Sequence, residues 1–301
     1  MACNRTKRRV VALGRDYQKP RNVFTPLIPT YTFDRFVVGS CNQFAHAAAM
    51  AVAANQAENY NPLFIYGGNG MGKSHLLNAI GHAIHKNSPD KKVCYCTAEM
   101  FMAELVYHLK LRKMDQFRNH FRSVDVLLFD DIQFLSGKTG TSEEFFHTFN
   151  ALHGANKQIV IASDRSPQDI ADIEKGLRSR LEWGLITQIH SSDLEARIAI
   201  LHNISETKEM QVPDDVIQYI ASEKNGDVRI LEGMLVTLKA CSNFLNIPIT
   251  LDMAKKNLGN IVVDETDCAC RRGEYCIGSQ KVEATECVAN VRYSRPWICS
   301  N

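Results

Sequence analysis

Along this chain, short and almost wholly apolar runs alternate with longer stretches in which apolar residues recur every three or four positions. Residues 63–66, 93–96, 124–129, 158–162 and 185–189 read as strands. Their predominantly apolar character is that of strands buried on both faces. Between them the spacing predicts helices over residues 73–85, 98–111 and 142–155. This alternation predicts an α/β fold, a parallel sheet with helices on both faces in three layers. From Asp193 to about Leu258 the strand signals vanish, and helices are predicted over 194–207, 214–223, 228–244 and 251–257. The chain therefore divides into a basic leader at 1–25, expected to be flexible, a core at 26–190, a small all-α unit at 191–263 and a tail at 264–301. The tail is rich in Cys and Arg and follows neither the helical nor the alternating period.

Composition narrows the class. Of 301 residues, 45% are hydrophobic and 23% charged, enough apolar material for a sizeable core and too much for wholesale disorder. Apolar runs such as 124–129 are too short to cross a bilayer. The basic N-terminal residues precede no apolar stretch of the kind a secretory signal carries, so the expected location is the cytoplasm. A net charge of +2 neither demands nor excludes nucleic acid, which leaves any such contact to local clusters. Cys3, Cys41, Cys94, Cys96 and Cys241 are scattered and read as reduced thiols, whereas Cys268, Cys270, Cys276, Cys287 and Cys299 crowd the tail.

Chemistry concentrates first at Gly67-Gly68-Asn69-Gly70-Met71-Gly72-Lys73-Ser74, which fits G-x-x-x-x-G-K-[ST] between a predicted strand and a predicted helix. Glycines there let backbone N–H groups turn inward around a phosphate, and the following helix adds its positive end. Lys73 is placed to reach the β- and γ-phosphates, Ser74 to hold Mg²⁺ through its hydroxyl, and the nucleotide-binding set runs on to His75. A metal site of this kind needs an acid, and the third strand runs into Asp130-Asp131 at its carboxyl end, where ligands gather in open α/β sheets. Asp130 is expected to position Mg²⁺ and Asp131 to act as general base on the attacking water. The fourth strand ends in Ser163-Asp164-Arg165, residues 177–181 carry Arg178 and Arg180, and Arg229 opens a helix of the second unit. These arginines are either γ-phosphate contacts, in the same subunit or a neighbour, or ordinary solvated charges.

Taken in order, Tyr31-Thr-Phe-Asp-Arg-Phe-Val-Val-Gly39, Asn61-Pro-Leu-Phe-Ile-Tyr-Gly-Gly68, Arg122-Ser-Val-Asp-Val-Leu-Leu-Phe-Asp-Asp-Ile-Gln-Phe134 and residues 143–152 closely resemble the AAA+ ATPase module of bacterial replication initiators of the DnaA type. The likeness spans about residues 26–263. It implies a P-loop AAA+ core with a small helical lid. It also implies roles: Asp164 as the first sensor, Arg180 as an arginine finger reaching ATP on an adjacent subunit, Arg229 as the second sensor, and residues 31–39 as the adenine pocket wall. A helical insertion at 98–122 would grip single-stranded origin DNA, with Val106 and Lys138 at positions the family uses for that contact. Lys110, Arg112, Lys113, Arg118 and Arg122 supply positive charge nearby, enough for a groove that tracks a backbone, although such bases also simply solvate an exposed helix.

The implied activity is slow ATP hydrolysis acting as a switch on an ATP-bridged oligomer assembled on origin DNA. The implied partners are single-stranded origin DNA, further copies of the chain, the replicative helicase or its loader, and acidic membrane phospholipids. Two rivals are a regulatory AAA+ relative that controls an initiator's hydrolysis and a helicase-loader-like scaffold. Three departures stand out. Gly140 and Gly176 occupy positions where relatives place basic residues, and the helix-turn-helix strings that read duplex boxes are absent. The tail's cysteine spacing matches no standard zinc site, which leaves a frame-shifted or truncated end as the favoured reading and duplex-box recognition as an activity not expected.

Overall fold

The computed structural model describes residues 26–54, 60–222 and 227–258, together with the backbone of Glu274–Ile277 and Gln280–Glu283. Five parallel strands form the core sheet: β1 (Leu63–Tyr66), β2 (Val93–Thr97), β3 (Val126–Asp130), β4 (Gln158–Ser163) and β5 (Leu185–Gln188), in the order β2-β3-β4-β1-β5. Helices α1 (Gln43–Ala53) and α2 (Lys73–Asn87) belong to one side, while α3 (Ala98–Lys110), α4 (Met114–Arg122), α5 (Thr139–Gly154) and α6 (Lys175–Trp183) belong to the other.

Both sheet faces are apolar because successive strand residues point in opposite directions and each direction meets helices. Leu63, Ile65, Tyr95, Val126, Leu128, Val160 and Ala162 pack with α1 and α2, whereas Phe64, Cys96, Leu127, Phe129 and Ile161 meet a cluster built on Phe101, Phe117, Phe121, Phe145 and Phe149. Phe101 sits at its centre, with four phenylalanine rings at centroid distances of 4.9–5.7 Å. Truncating such a ring to alanine leaves a cavity worth roughly 3–5 kcal/mol. Burial pushes the Cys96 thiol up to about 12 and the Cys94 thiol well above its ordinary value, so both are inert thiols.

The second unit contains α7 (Leu194–Thr207), α8 (Asp214–Ser222), α9 (Val228–Leu245) and α10 (Leu251–Leu258) around their own core of Leu201, Ile217, Ile220, Leu231, Leu235 and Leu238. Asp193 caps α7 by accepting from Ala196 N at 2.8 Å, and Asn246 in the left-handed region ends α9. In the tail, where no strand was expected, the backbones of β6 (Glu274–Ile277) and β7 (Gln280–Glu283) pair antiparallel. The leader, Cys3 and the remaining tail, including the question of a zinc site, lie outside the described residues.

Candidate nucleotide site

The site forms where the carboxyl ends of β1, β3 and β4 meet the second unit, as open α/β sheets favour. The loop after β1 is tied to its neighbour by Gly67 N donating to Ser163 O at 3.3 Å. It then turns through Gly70 at φ +67° and Gly72 at φ +91°, left-handed angles that only glycine adopts without strain. A Cβ on Gly72 would come within 2.9 Å of the Phe36 ring, and one on Gly70 would overlap the Asp227 carboxylate. The loop is therefore held in a shape that leaves its interior to a ligand. Lys73 closes it, donating from Nζ to the carbonyls of Gly67 and Gly68, both at 2.8 Å. Burial draws the Lys73 ammonium's pKa down, opposed by the charges of Asp131 and Asp130.

Asp130 ends β3 and is 1% exposed. Desolvation raises its pKa, moderated by hydrogen bonds from the Ser74 and Tyr95 hydroxyls, the latter 2.9 Å from Oδ2. Asp131 follows in a left-handed conformation at φ +58°. Gln133 links the two sheet ends, donating from Nε2 to Asp131 Oδ1 at 2.9 Å and accepting at Oε1 from Asp164 N at 3.3 Å. The Asp164 carboxylate is clasped by Arg165 at 2.7 and 2.8 Å, and that guanidinium lowers its pKa.

A cavity of about 710 Å³ opens in front of these groups. Of the expected residues, Gly70, Met71, Gly72, Lys73, Ser74, His75, Asp130, Asp131 and Arg229 line it. Gly67, Gly68, Asn69 and Asp164 stand behind or beside that lining, with Asp164 close enough to influence the Lys73 charge. The entry segment forms another wall through Tyr31, Arg35, Phe36 and Val37. His75 fastens this segment: its Nε2 lies 2.8 Å from Thr32 O, and its ring stacks on Tyr31 at 4.7 Å. The lid contributes Asn203, Lys208 and Glu232. Tyr95, Gln133 and Asp227 escaped the sequence reading because their partners lie on other strands or in the other unit.

These features fit a nucleotide triphosphate with magnesium: an inward-turned loop with a buried ammonium, beside a hydroxyl and a desolvated carboxylate. Among the described residues no group of three His, Cys, Asp or Glu forms a metal cluster.

Arg180 does not line this cavity; it projects from α6 beside Trp183. Val106 on α3 is 42% exposed, and Lys138 is an exposed residue at the N-cap of α5. Two members of the basic cluster have a carboxylate partner. Arg118 makes a bidentate pair with Glu144 at 3.0 Å on both arms, and Arg122 joins it at 3.2 Å, so both charges bind α4 to α5. Arg112 and Lys113 stay exposed, with no ion pair among the described residues. Gly140 faces open space, whereas a Cβ on Gly176 would press on Phe146 at 3.1 Å, so the Phe146 ring occupies room a larger residue 176 would need.

The family model of the bacterial DnaA ATPase domain matches residues 27–188. The chromosomal replication initiator protein DnaA of Pelobacter propionicus is 60% identical over 246 residues, covering 82% of this chain and 55% of that protein. The chain thus spans about half the length of the curated relatives it matches. Domain III of the Thermotoga maritima replication initiation protein DnaA superposes with a TM-score of 0.76 at 43% identity, covering 78% of this chain and 98% of that one. A replication initiator DnaA bound to AMPPCP and single-stranded DNA superposes with a TM-score of 0.65 at 40% identity, covering 71% of this chain and 66% of that one. With its phosphate loop, acidic strand end and lid arginine in one cavity, and the family match running over more than half its length, the chain belongs to the bacterial DnaA family.

Proposed function

We propose that this chain is the ATP-dependent switch of a replication initiator, binding ATP in the described cavity and hydrolysing it slowly. The observation that carries the reading is the convergence of Lys73, Ser74, Asp130, Asp131 and Arg229 on one cavity between core and lid. The loop N–H groups, Lys73 and Arg229 bind the phosphates. Ser74 and Asp130 would hold Mg²⁺, which when bound neutralises charge on the β- and γ-phosphates. Asp131 accepts the proton of the attacking water, oriented by Gln133, and Asp164 senses the same end of the nucleotide.

Arg180 does not line its own cavity and serves that of an adjacent copy, so ATP bridges subunits. Val106 and Lys138 contact single-stranded origin DNA; single-strand binding as such is supported by the relative bound to AMPPCP and single-stranded DNA, and these two positions by the family resemblance. Docking of the replicative helicase or its loader, contact with acidic phospholipids and a cytoplasmic location enter this proposal through the family. No helix among the described residues is long and apolar enough to cross a membrane.

Binding of fluorescent ATP, with and without single-stranded DNA, tests the proposal. The chain is expected to bind ATP, to lose it with Lys73→Ala, and to grip single strands only with ATP and Arg180 present. ATP binding without DNA-dependent assembly would transfer the reading to a regulatory or scaffold relative.

A further inference from the structure

The surroundings of Arg180 on α6 are organised. Arg180 and Trp183 lie three residues apart on one face of α6, and the guanidinium carbon sits 4.9 Å from the indole centroid. His153 lies 5.6 Å from the same indole and itself stacks on Phe149 at 5.8 Å, with the rings 10° apart. Phe149 is 1% exposed and belongs to the main core, whereas Trp183 is 68% exposed. A ladder of four planar groups therefore runs from the core to the guanidinium. Its base at the end of α6 is also fixed, because a Cβ on Gly184 would collide with Pro62 of the strand-β1 approach. Among the described residues Arg180 makes no ion pair, so the indole face is its principal anchor.

We infer that Trp183 is a positioning residue for Arg180, holding the guanidinium extended and desolvated on one face so that it meets a neighbouring subunit's phosphate without first being ordered. This rests on the reading of Arg180 as a finger acting between subunits. An unanchored arginine has considerable rotamer freedom to lose on contact, and a ring that already restricts it reduces that loss. The large exposure of the indole is then explained by what it carries, since a tryptophan with no such duty is seldom left so open.

The test is Mg-ATP-dependent assembly of the full chain, followed by sedimentation, for Trp183→Ala, Trp183→Phe, Arg180→Ala and the Trp183→Ala/Arg180→Ala double variant, beside fluorescent-ATP binding. Trp183→Ala is expected to weaken assembly roughly threefold to tenfold, the range of a cation–π contact at a partly exposed site, while leaving ATP binding by the single chain unchanged. Trp183→Phe, which keeps an aromatic face, restores most of it. The double variant assembles no worse than Arg180→Ala alone, because both changes act through one guanidinium. Normal assembly of Trp183→Ala beside impaired Arg180→Ala overturns the inference alone. So does a Trp183→Ala defect that persists undiminished without Arg180, which would make the indole a direct contact. Normal assembly of Arg180→Ala overturns the finger reading, and this inference with it.

Discussion

Tyr95 donates its hydroxyl hydrogen to Oδ2 of Asp130, 2.9 Å away, across the neighbouring strands β2 and β3. The register sets Thr97 opposite Asp130, so Tyr95, two residues earlier, shares its face and reaches forward to the acid. The bond favours the charged carboxylate in a site where desolvation works against it, and the same burial pushes the Tyr95 phenol far above its ordinary range. Tyr95→Phe is expected to lower stability by about 1.5 kcal/mol at pH 7, the size of a hydrogen bond to a charged group. Because the folded pKa of Asp130 is raised, that loss belongs to the pH range above it and shrinks as pH falls through it toward the unfolded value. Thermal melts across that range check the sign; an equal loss at every pH would remove Asp130 from the explanation.

Asp130→Asn should do the opposite to the fold and worse to the site. A carboxyl whose folded pKa is raised disfavours folding whenever it is ionised, so removing its charge stabilises the nucleotide-free chain above that pKa. The melting temperature rises by a few degrees at pH 7 and the gain fades in acid. Magnesium-dependent ATP binding falls at least tenfold, since Asp130 is the buried acid beside Ser74. A variant that is less stable at pH 7 than the parent would contradict the assignment of a desolvated carboxylate here.

Gly70 joins the lid to the phosphate loop by lacking a side chain. Asp227 caps α9 by accepting from Arg229 N at 2.9 Å, and its carboxylate fills the space a Cβ at residue 70 would take. Gly70→Ala introduces an alanine at φ +67° and displaces that cap, two penalties of about 1 kcal/mol each. Arg229 moves with the cap, so ATP affinity is expected to drop by more than tenfold while the core helices keep their circular dichroism. Fluorescent-ATP titration decides it, and parental affinity would show that lid and loop are not coupled through this contact.

How much of this was legible beforehand depended on distance along the chain. Lys73 and Ser74 belong to a motif eight residues long, and each core strand announces itself by a short, mostly apolar run. Helix α1 went unread because its alanines give no apolar stripe, and α6 because Arg178 and Arg180 broke the expected pattern. The periodicity ends a helix at 111, beside the break at Arg112 (φ +55°), but gives no separate helix for α4, whose residues follow that break. Among site residues, Tyr95, Gln133 and Asp227 acquire their roles only when the sheet and lid bring them to their partners. The same reasoning explains why the partner of Arg118 and Arg122 was not legible: each is a basic residue on a helix until Glu144, on another helix, is placed beside it.

That pairing separates two kinds of basic residue in the region proposed to meet single-stranded DNA. Glu144 is 8% exposed and receives both guanidinia, so Glu144→Gln should cost roughly 1–3 kcal/mol by leaving charged groups poorly matched at the α4–α5 contact. Arg118→Ala should likewise lower the melting temperature while keeping single-strand affinity within about twofold, because its charge, on a side chain 43% exposed, is already paired with Glu144. Lys138 has no ion pair among the described residues and stands exposed at the start of α5. Lys138→Ala should leave the melting temperature in place, weaken binding of an oligothymidine several-fold in the presence of ATP, and reduce the log–log salt slope by about 0.7, the value for one phosphate contact on a single strand. Anisotropy titrations over a series of salt concentrations, paired with melts of the same variants, measure both effects. If Arg118→Ala flattened the salt slope and Lys138→Ala did not, the DNA would lie on α4 and its ion pair with Glu144 would have to open on binding.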